Sequence, residues 1–353
     1  MKEVISIKEE KQYILGIESS CDETAAAIVV NGRQVLSNVI FSSADLHKIY
    51  GGVVPEIASR KHLEAMPYVL DQALNQAGLK LDDLTAVGVT KGPGLVGSLL
   101  VGLSAAKALG LAKSKPIYGI HHLAGHIAAN YLTYPDLKPP FLSLIISGAH
   151  SHIVLVKDYC DFKILARTRD DAPGEVFDKI AREAGLGYPG GPMIDRLAKN
   201  GCKTAFDLPR PHFKDSQDFS FSGLKTACLN ILNQARQKAE RRGLNWTDVL
   251  RIEDLAATFQ SAVAGILLDH CLACLDFTGQ KKLVLAGGVA ANSEVRRIFS
   301  ELSAQRGIQV YLPELRYCTD NAAMIASQAY YSLLYKKADS LDLNAQAMLE
   351  LVD

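Results

Sequence analysis

Residues 13–39 read YILGIESSCDETAAAIVVNGRQVLSNV. An apolar run, a small polar bend, a second apolar run, a turn and a third run follow one another, which predicts a β-hairpin extended into a meander. Residues 141–168, FLSLIISGAHSHIVLVKDYCDFKILART, repeat that rhythm. In both stretches the first bend is lined by Ser, Gly, Asp or His. A unit of this kind met twice predicts a duplicated α/β domain. The chain's 353 residues suffice for two domains, each with its own core.

The stretches around the two meanders fit α/β units. After the first come a predicted helix at 55–78, a strand LTAVGVT, and a Gly-rich loop opening a helix in KGPGLVGSLLVGLSAAKALG. A strand PIYGI and a histidine-bearing helix follow, ended by TYPDLKPP at 133–140, which reads as a hinge. After the second come a loop and helix in DDAPGEVFDKIAREAGL and a Gly/Pro turn feeding a helix in LGYPGGPMIDRLAKNG. Residues 206–225, FDLPRPHFKDSQDFSFSGLK, are irregular, aromatic and polar, the composition of a binding loop. Helices are predicted near 228–241 and 252–276. KKLVLAGGVAAN then reads as a buried strand running into a glycine turn that opens a helix, and CTDNAAMIASQAYYSLLYKK as a last loop and helix.

Composition excludes several classes. Hydrophobic residues make up 48% and charged residues 22%, as in ordinary soluble domains. Read along the sequence, no apolar run reaches the roughly 18 residues that span a bilayer. The start, MKEVISIKEEKQYILGI, is charged and lacks a signal-peptide core. Seven cysteines, scattered and odd in number, argue against a disulfide framework and for a reducing cytoplasm. Cys271 and Cys274 form a lone CxxC on an amphipathic helix, with no second pair to complete a metal site. Net charge is zero, so the whole molecule has no field that draws in nucleic acid. RNA binding would need local patches such as 234–243, Arg296–Arg297 or 113–115, or another subunit.

Chemistry concentrates in HHLAGH at 121–126. His122 and His126 are four apart and share one helix face, a spacing that suits two imidazoles on one ion. His121 points roughly 100° away. A solvated helix face would give the same pattern, so a third ligand is needed. Asp320, just before the last helix, is either that ligand or an N-cap. Two histidines and a carboxylate leave coordination positions open and suit Fe(II) or Zn(II). The HExxH protease pattern fails, because Leu123, Ala124 and Gly125 follow His122 where a general base is required. Gly92, Gly94 and Gly97 spell GxGxxG, but Pro93 sits inside it and no acid follows at ribose distance. A Walker A loop fails for want of a Lys before Ser98. In the second half, Ser147-Gly148-Ala149, Gly190-Gly191 and Gly287-Gly288, with Asp178 and Asp195 near in sequence, look like a nucleotide cleft.

GIESSCDET, KGPGLVGSLLVG, HHLAGH, DDAPGEVFDK, YPGGP, DFSFSGLKT, GGVAAN and CTDNAAMIA stand in this order along almost the whole chain. That set resembles the TsaD family, threonylcarbamoyltransferases that form N6-threonylcarbamoyladenosine in tRNA. The resemblance implies an actin-like, sugar-kinase-like fold of two duplicated lobes with a ligand cleft between them. It implies a first lobe over 1–137, with a C-terminal helix at about 321–353 packing back on it, and a second lobe over 138–320. It places His122, His126 and Asp320 on the metal ligands, for one divalent ion, Fe2+ favoured and Zn2+ the alternative. Ile145, Ile146, Ser147, Gly148, Ala149, Asp178, Gly191, Asp195 and Asn292 fall on substrate-contacting positions. The implied donor is L-threonylcarbamoyl-AMP, and the acceptor is the adenosine 3′ of the anticodon in tRNAs reading ANN codons. The implied partners are tRNA, a smaller TsaB-like paralogue and a TsaE-like ATPase subunit, with no membrane. No catalytic role follows for Asp22, Glu23 or Lys91. Two departures stand out: Ala149 replaces a glycine of the usual SGGHT, and Pro173 an alanine of the usual DDAAGE.

Overall fold

The computed structural model describes residues 11–148, 150–211, 213 and 216–351. Its strands are β1 (Tyr13–Glu18), β2 (Glu23–Val30), β3 (Gln34–Ser42), β4 (Ala86–Gly92), β5 (Ile117–His121), β6 (Phe141–Ile146), β7 (Ser151–Asp158), β8 (Asp161–Arg167), β9 (Lys282–Ala286) and β10 (Gln309–Tyr311). Its helices are α1 (Ala44–His47), α2 (Pro55–Ala77), α3 (Val96–Lys113), α4 (His122–Thr133), α5 (Pro173–Glu183), α6 (Gly190–Ala198), α7 (Ser222–Arg242), α8 (Ile252–Thr278), α9 (Ser293–Arg306) and α10 (Ala322–Tyr335). The chain divides into two compact units. One takes the described residues of Met1–Ser42, Pro55–Pro135 and Asn321–Leu349. The other takes those of Ser43–Val54, Asp136–Asp320 and Glu350–Asp353.

Each unit holds a five-stranded mixed sheet, ordered β3-β2-β1-β4-β5 in the first and β8-β7-β6-β9-β10 in the second. The order is the same in both. The first strand of each pairs antiparallel with its hairpin partner and parallel with the fourth. The echo between 13–39 and 141–168 is therefore a repeated topology.

In the first unit, strand alternation turns Leu15 and Ile17 to one face of β1, where they join Met66, Val69 and Ala73 of α2 and Leu103 and Ala106 of α3. The opposite face meets α10. A Cβ on Gly16 would lie 2.2 Å from the Ala322 carbonyl oxygen, and one on Gly88 2.3 Å from the Ala329 methyl. Only glycine lets a helix approach a sheet that closely. α4 packs beside α10, and every residue from His122 to Leu132 is buried, as expected of a helix apolar on most of its surface.

In the second unit, α8 threads the core with Phe259, Val263, Leu267 and Cys271 all fully buried. Cys271 and Cys274 belong to that core. Desolvation raises both thiols, Cys274 to about 11, so the lone CxxC is packing and not chemistry. α3 and α8 are long and apolar enough to cross a membrane by length and composition, which corrects the reading of the bare sequence. The apolar side chains of α8 are spent on this core.

α7 begins at Ser222, earlier than the expected 228. Asp170 accepts the Phe221 backbone N–H at 2.9 Å and the Ser220 hydroxyl, while Lys225 pairs with Asp171. That carboxylate pair satisfies the N-terminal end of the helix from 50 residues away, a partner no local pattern reveals.

Candidate metal centre

The functional side chains sit where strands end. β1 runs into Ser19-Ser20, β4 into the GPG loop, and β5 into His121 and α4. Carboxyl ends of strands are where α/β sheets bind ligands.

His121 caps α4: its Nδ1 accepts the Leu123 backbone N–H at 3.1 Å. The proton is thus on Nε2, which donates to the Leu349 carbonyl at 3.1 Å. The histidine that pointed the wrong way for a metal orients the helix bearing the two that do not. One donor atom from each of His122, His126 and Asp320 lies within 4.8 Å of the others. His126 is fully buried and His122 nearly so, with the two rings edge to face at 4.7 Å between centroids. Asp320 directly precedes Asn321, and Asn321 is the N-cap of α10, its Oδ1 accepting the Met324 N–H at 3.0 Å. The capping role open to Asp320 in the sequence thus belongs to its neighbour.

The surroundings fit a metal. His122 Nδ1 lies 3.0 Å from Glu18 Oε2 and 3.2 Å from Ser20 Oγ, so a metal held by this ring would be met by Nε2. Glu18 is fully buried. Its Oε1 accepts the Ser20 N–H at 2.6 Å and its Oε2 the Thr90 hydroxyl at 2.7 Å. A carboxylate behind a histidine in this way is the usual support of a metal-ligating imidazole. Glu18 was missed by sequence reading, although it lies in the quoted GIESSCDET.

The GxGxxG loop serves the same bend. A Cβ on Gly94 would stand 2.6 Å from the Ser20 carbonyl oxygen, and that oxygen accepts the Leu95 N–H at 2.8 Å. Beside it, His62 holds the bend through Thr24 Oγ at 2.8 Å and the Cys21 carbonyl at 3.0 Å. Asp22 is buried there, and Glu23 accepts the Ser42 hydroxyl.

In the second unit, Ile145 and Ile146 are fully buried in the central strand β6. At the next bend, the Ser147 N–H donates to the His150 carbonyl at 2.9 Å and is consumed. Gly148 stands open, with nothing near a Cβ placed on it; Ala149 lies outside the described residues. The carbonyls of Ser147 and Gly148 accept the N–H groups of Gly174 and Glu175, so this bend rests on the start of α5. Pro173 occupies the first position of that helix, where its missing N–H and fixed φ cost nothing.

Asp178 Oδ1 accepts the Gly190 N–H at 2.7 Å, at the start of α6. Gly191 is open. Asp195 Oδ1 accepts from the Ser293 hydroxyl at 2.6 Å, the Ser293 N–H at 3.2 Å and Asn292 Nδ2 at 3.3 Å. Asn292 is spent on structure: its Oδ1 caps α9 through the Glu294 and Val295 N–H groups, and its amide also donates to Gln260 at 3.1 Å. The Gly287-Gly288 pair opens a short 3-10 turn and not a long helix. Gly287 has φ +89, and a Cβ there would meet the Ile146 carbonyl at 2.4 Å.

A family model described as "TsaD: tRNA N6-adenosine threonylcarbamoyltransferase" matches residues 34–327. The chain belongs to this family. A tRNA N6-adenosine threonylcarbamoyltransferase of Clostridium beijerinckii is 51% identical over 343 residues, covering 97% of this chain and 99% of its own. One of Clostridium kluyveri is 52% identical over 340 residues, covering 96% and 97%. Membership makes the protein a tRNA-modifying transferase. Among solved structures, full-length HypF matches 95% of this chain and 48% of its own, with a TM-score of 0.60 at 14% identity. HypF of T. kodakarensis gives 0.58 at 14% identity, over 93% of this chain and 48% of its own. These share the actin-like α/β fold.

Proposed function

We propose that the protein transfers the threonylcarbamoyl group from L-threonylcarbamoyl-AMP to N6 of the adenosine 3′ of the anticodon in tRNAs reading ANN codons, releasing AMP. One divalent ion, Fe2+ in preference to Zn2+, is held by His122, His126 and Asp320. The observation that carries this reading is the meeting of those three donor groups, one imidazole backed by Glu18. When bound, such an ion supplies Lewis-acid polarisation of an oxygen at its open positions.

The reaction joins adenine N6 to the carbamoyl carbon, breaks that carbon's bond to phosphate, and releases the N6 proton. Adenine N6 is a poor nucleophile because its lone pair is delocalised, so a mixed anhydride is the fitting donor. AMP leaves as a weakly basic phosphate, so no strong general acid is required. The chain's residues orient the donor. Among the described residues no backbone carbonyl takes the Gly148 N–H, which donates to an oxygen gaining charge. Asp178 and Asp195 hydrogen-bond the ribose, Asp195 through Oδ2. Asn292 acts by holding Asp195 and the start of α9 in place. Ile145 and Ile146 contribute by fixing the strand from which Ser147 and Gly148 emerge.

tRNA binding is shared with a TsaB-like paralogue and a TsaE-like ATPase in the cytoplasm. Two of the three basic patches support this, since their charges are paired at the surface within the chain. Lys113 and Lys115 bind Asp82, Arg296 binds the Ala290 and Pro313 carbonyls, and Arg297 binds Glu294 and Glu301. The third leaves Lys238, Arg241 and Arg242 exposed on α7. Reconstitution with tRNA, L-threonylcarbamoyl-AMP and the partner subunits, with metal analysis of the same sample, tests the proposal. His126→Ala should lose both metal and transfer while keeping its fold. Normal transfer by metal-free His126→Ala would refute the assignment.

A further inference from the structure

We infer that Glu18 is the positioning residue of the metal centre: it holds His122 in the tautomer that presents Nε2 to the ion. The inference rests on the metal reading above and adds to it a residue that contacts no metal. Four observations carry it. Glu18 is fully buried at the end of β1, 104 residues from His122 in sequence, and its Oε2 stands 3.0 Å from Nδ1. The Ser20 N–H donates to its Oε1 and the Thr90 hydroxyl to its Oε2. A carboxylate so placed is an acceptor only, so it requires a proton on Nδ1 and leaves the Nε2 lone pair for a ligand. Ser20 Oγ, at 3.2 Å, supports the same nitrogen.

The arrangement explains why neighbouring motifs converge here. The GPG loop fixes the Ser20 carbonyl, Ser20 fixes Glu18 through its N–H, and Glu18 fixes His122. Glutamine has the shape of glutamate but cannot replace it. With its NH2 toward His122, it donates to Nδ1 and drives the proton onto Nε2, which blocks coordination. With its NH2 toward Ser20, it opposes an N–H that now has only another donor to face, at 2.6 Å.

The test is Co2+ titration of the purified protein, followed by the visible absorption of the bound ion, for the unmodified chain, Glu18→Gln and His126→Ala. The expected result is 1:1 binding by the unmodified chain, none by His126→Ala, and affinity lower by about 10–100-fold in Glu18→Gln, with its far-UV spectrum unchanged. Absence of binding by the unmodified chain would defeat the metal reading itself. Binding by Glu18→Gln as tight as by the unmodified chain would defeat the role of Glu18 alone. Should Glu18→Gln not fold, nitrogen-15 NMR of the imidazoles in the Zn2+-loaded unmodified protein decides. A proton on Nδ1 of His122 supports the inference, and a proton on Nε2 overturns it.

Discussion

At the scale of single residues, three neighbouring histidines divide two jobs between them. His121 caps a helix, while His122 and His126 face the candidate ion. Replacing His121 with alanine removes the acceptor for the Leu123 N–H. It should cost about 1 kcal/mol in urea denaturation while one metal per chain is still bound. A loss of metal equal to that of His126→Ala would show that His121 is a ligand instead. His152 offers a separate test. Desolvation, with the Arg167 guanidinium adding to it, holds its imidazole down at about 4. Between that value and the ordinary 6.5, the unfolded chain binds the proton that the folded chain refuses, so stability falls as pH drops through this window. His152→Gln should flatten the slope of unfolding free energy against pH between 6.5 and 4; an unchanged slope would assign it to other groups. The two histidines were legible because helical spacing alone aligns them. Glu18 was not, because its partner lies 104 residues away and a carboxylate closing a strand has no local signature.

At the scale of elements, α10 matters most. It lies on β1 and β4 because Gly16 and Gly88 offer no side chain, and its N-terminus carries Asn321 with Asp320 just ahead. Gly16→Ala drives a methyl into the Ala322 carbonyl and the Ala326 N–H, which are backbone and cannot swing aside. It should destabilise the fold by about 1–3 kcal/mol or more and weaken metal binding, since α10 must lift and Asp320 with it. Calorimetry with and without metal checks this. Equal melting of both proteins would show that the helix has more room than these distances allow. Most elements were legible from periodicity and turn residues. The start of α7 was not, because Asp170 completes it from a distant loop. The GxGxxG spelling at 92–97 already failed as a nucleotide motif in the sequence; that its Gly94 braces Ser20 was not legible, because it depends on which backbone lies opposite.

At the scale of the molecule, the repeated strand order in both sheets was legible as a repeated rhythm of apolar runs and bends. Each unit places its chemistry-bearing bend after its first strand, Ser19-Ser20 in one and Ser147-Gly148 in the other. Zero net charge and the pairing of two of the three basic patches within the chain predict that tRNA binding by the isolated chain is weak and gains strongly from the proposed partner subunits. A filter-binding series with and without them measures that gain, and equal affinity would place the whole tRNA surface on this chain. The account as a whole depends on one ion shared by His122, His126 and Asp320. Anomalous diffraction at the metal edge from Zn2+- or Fe2+-loaded crystals tests it most directly. The account predicts a single peak about 2.0–2.2 Å from one atom of each residue; a peak elsewhere, or one that survives unchanged in Asp320→Asn, would contradict it.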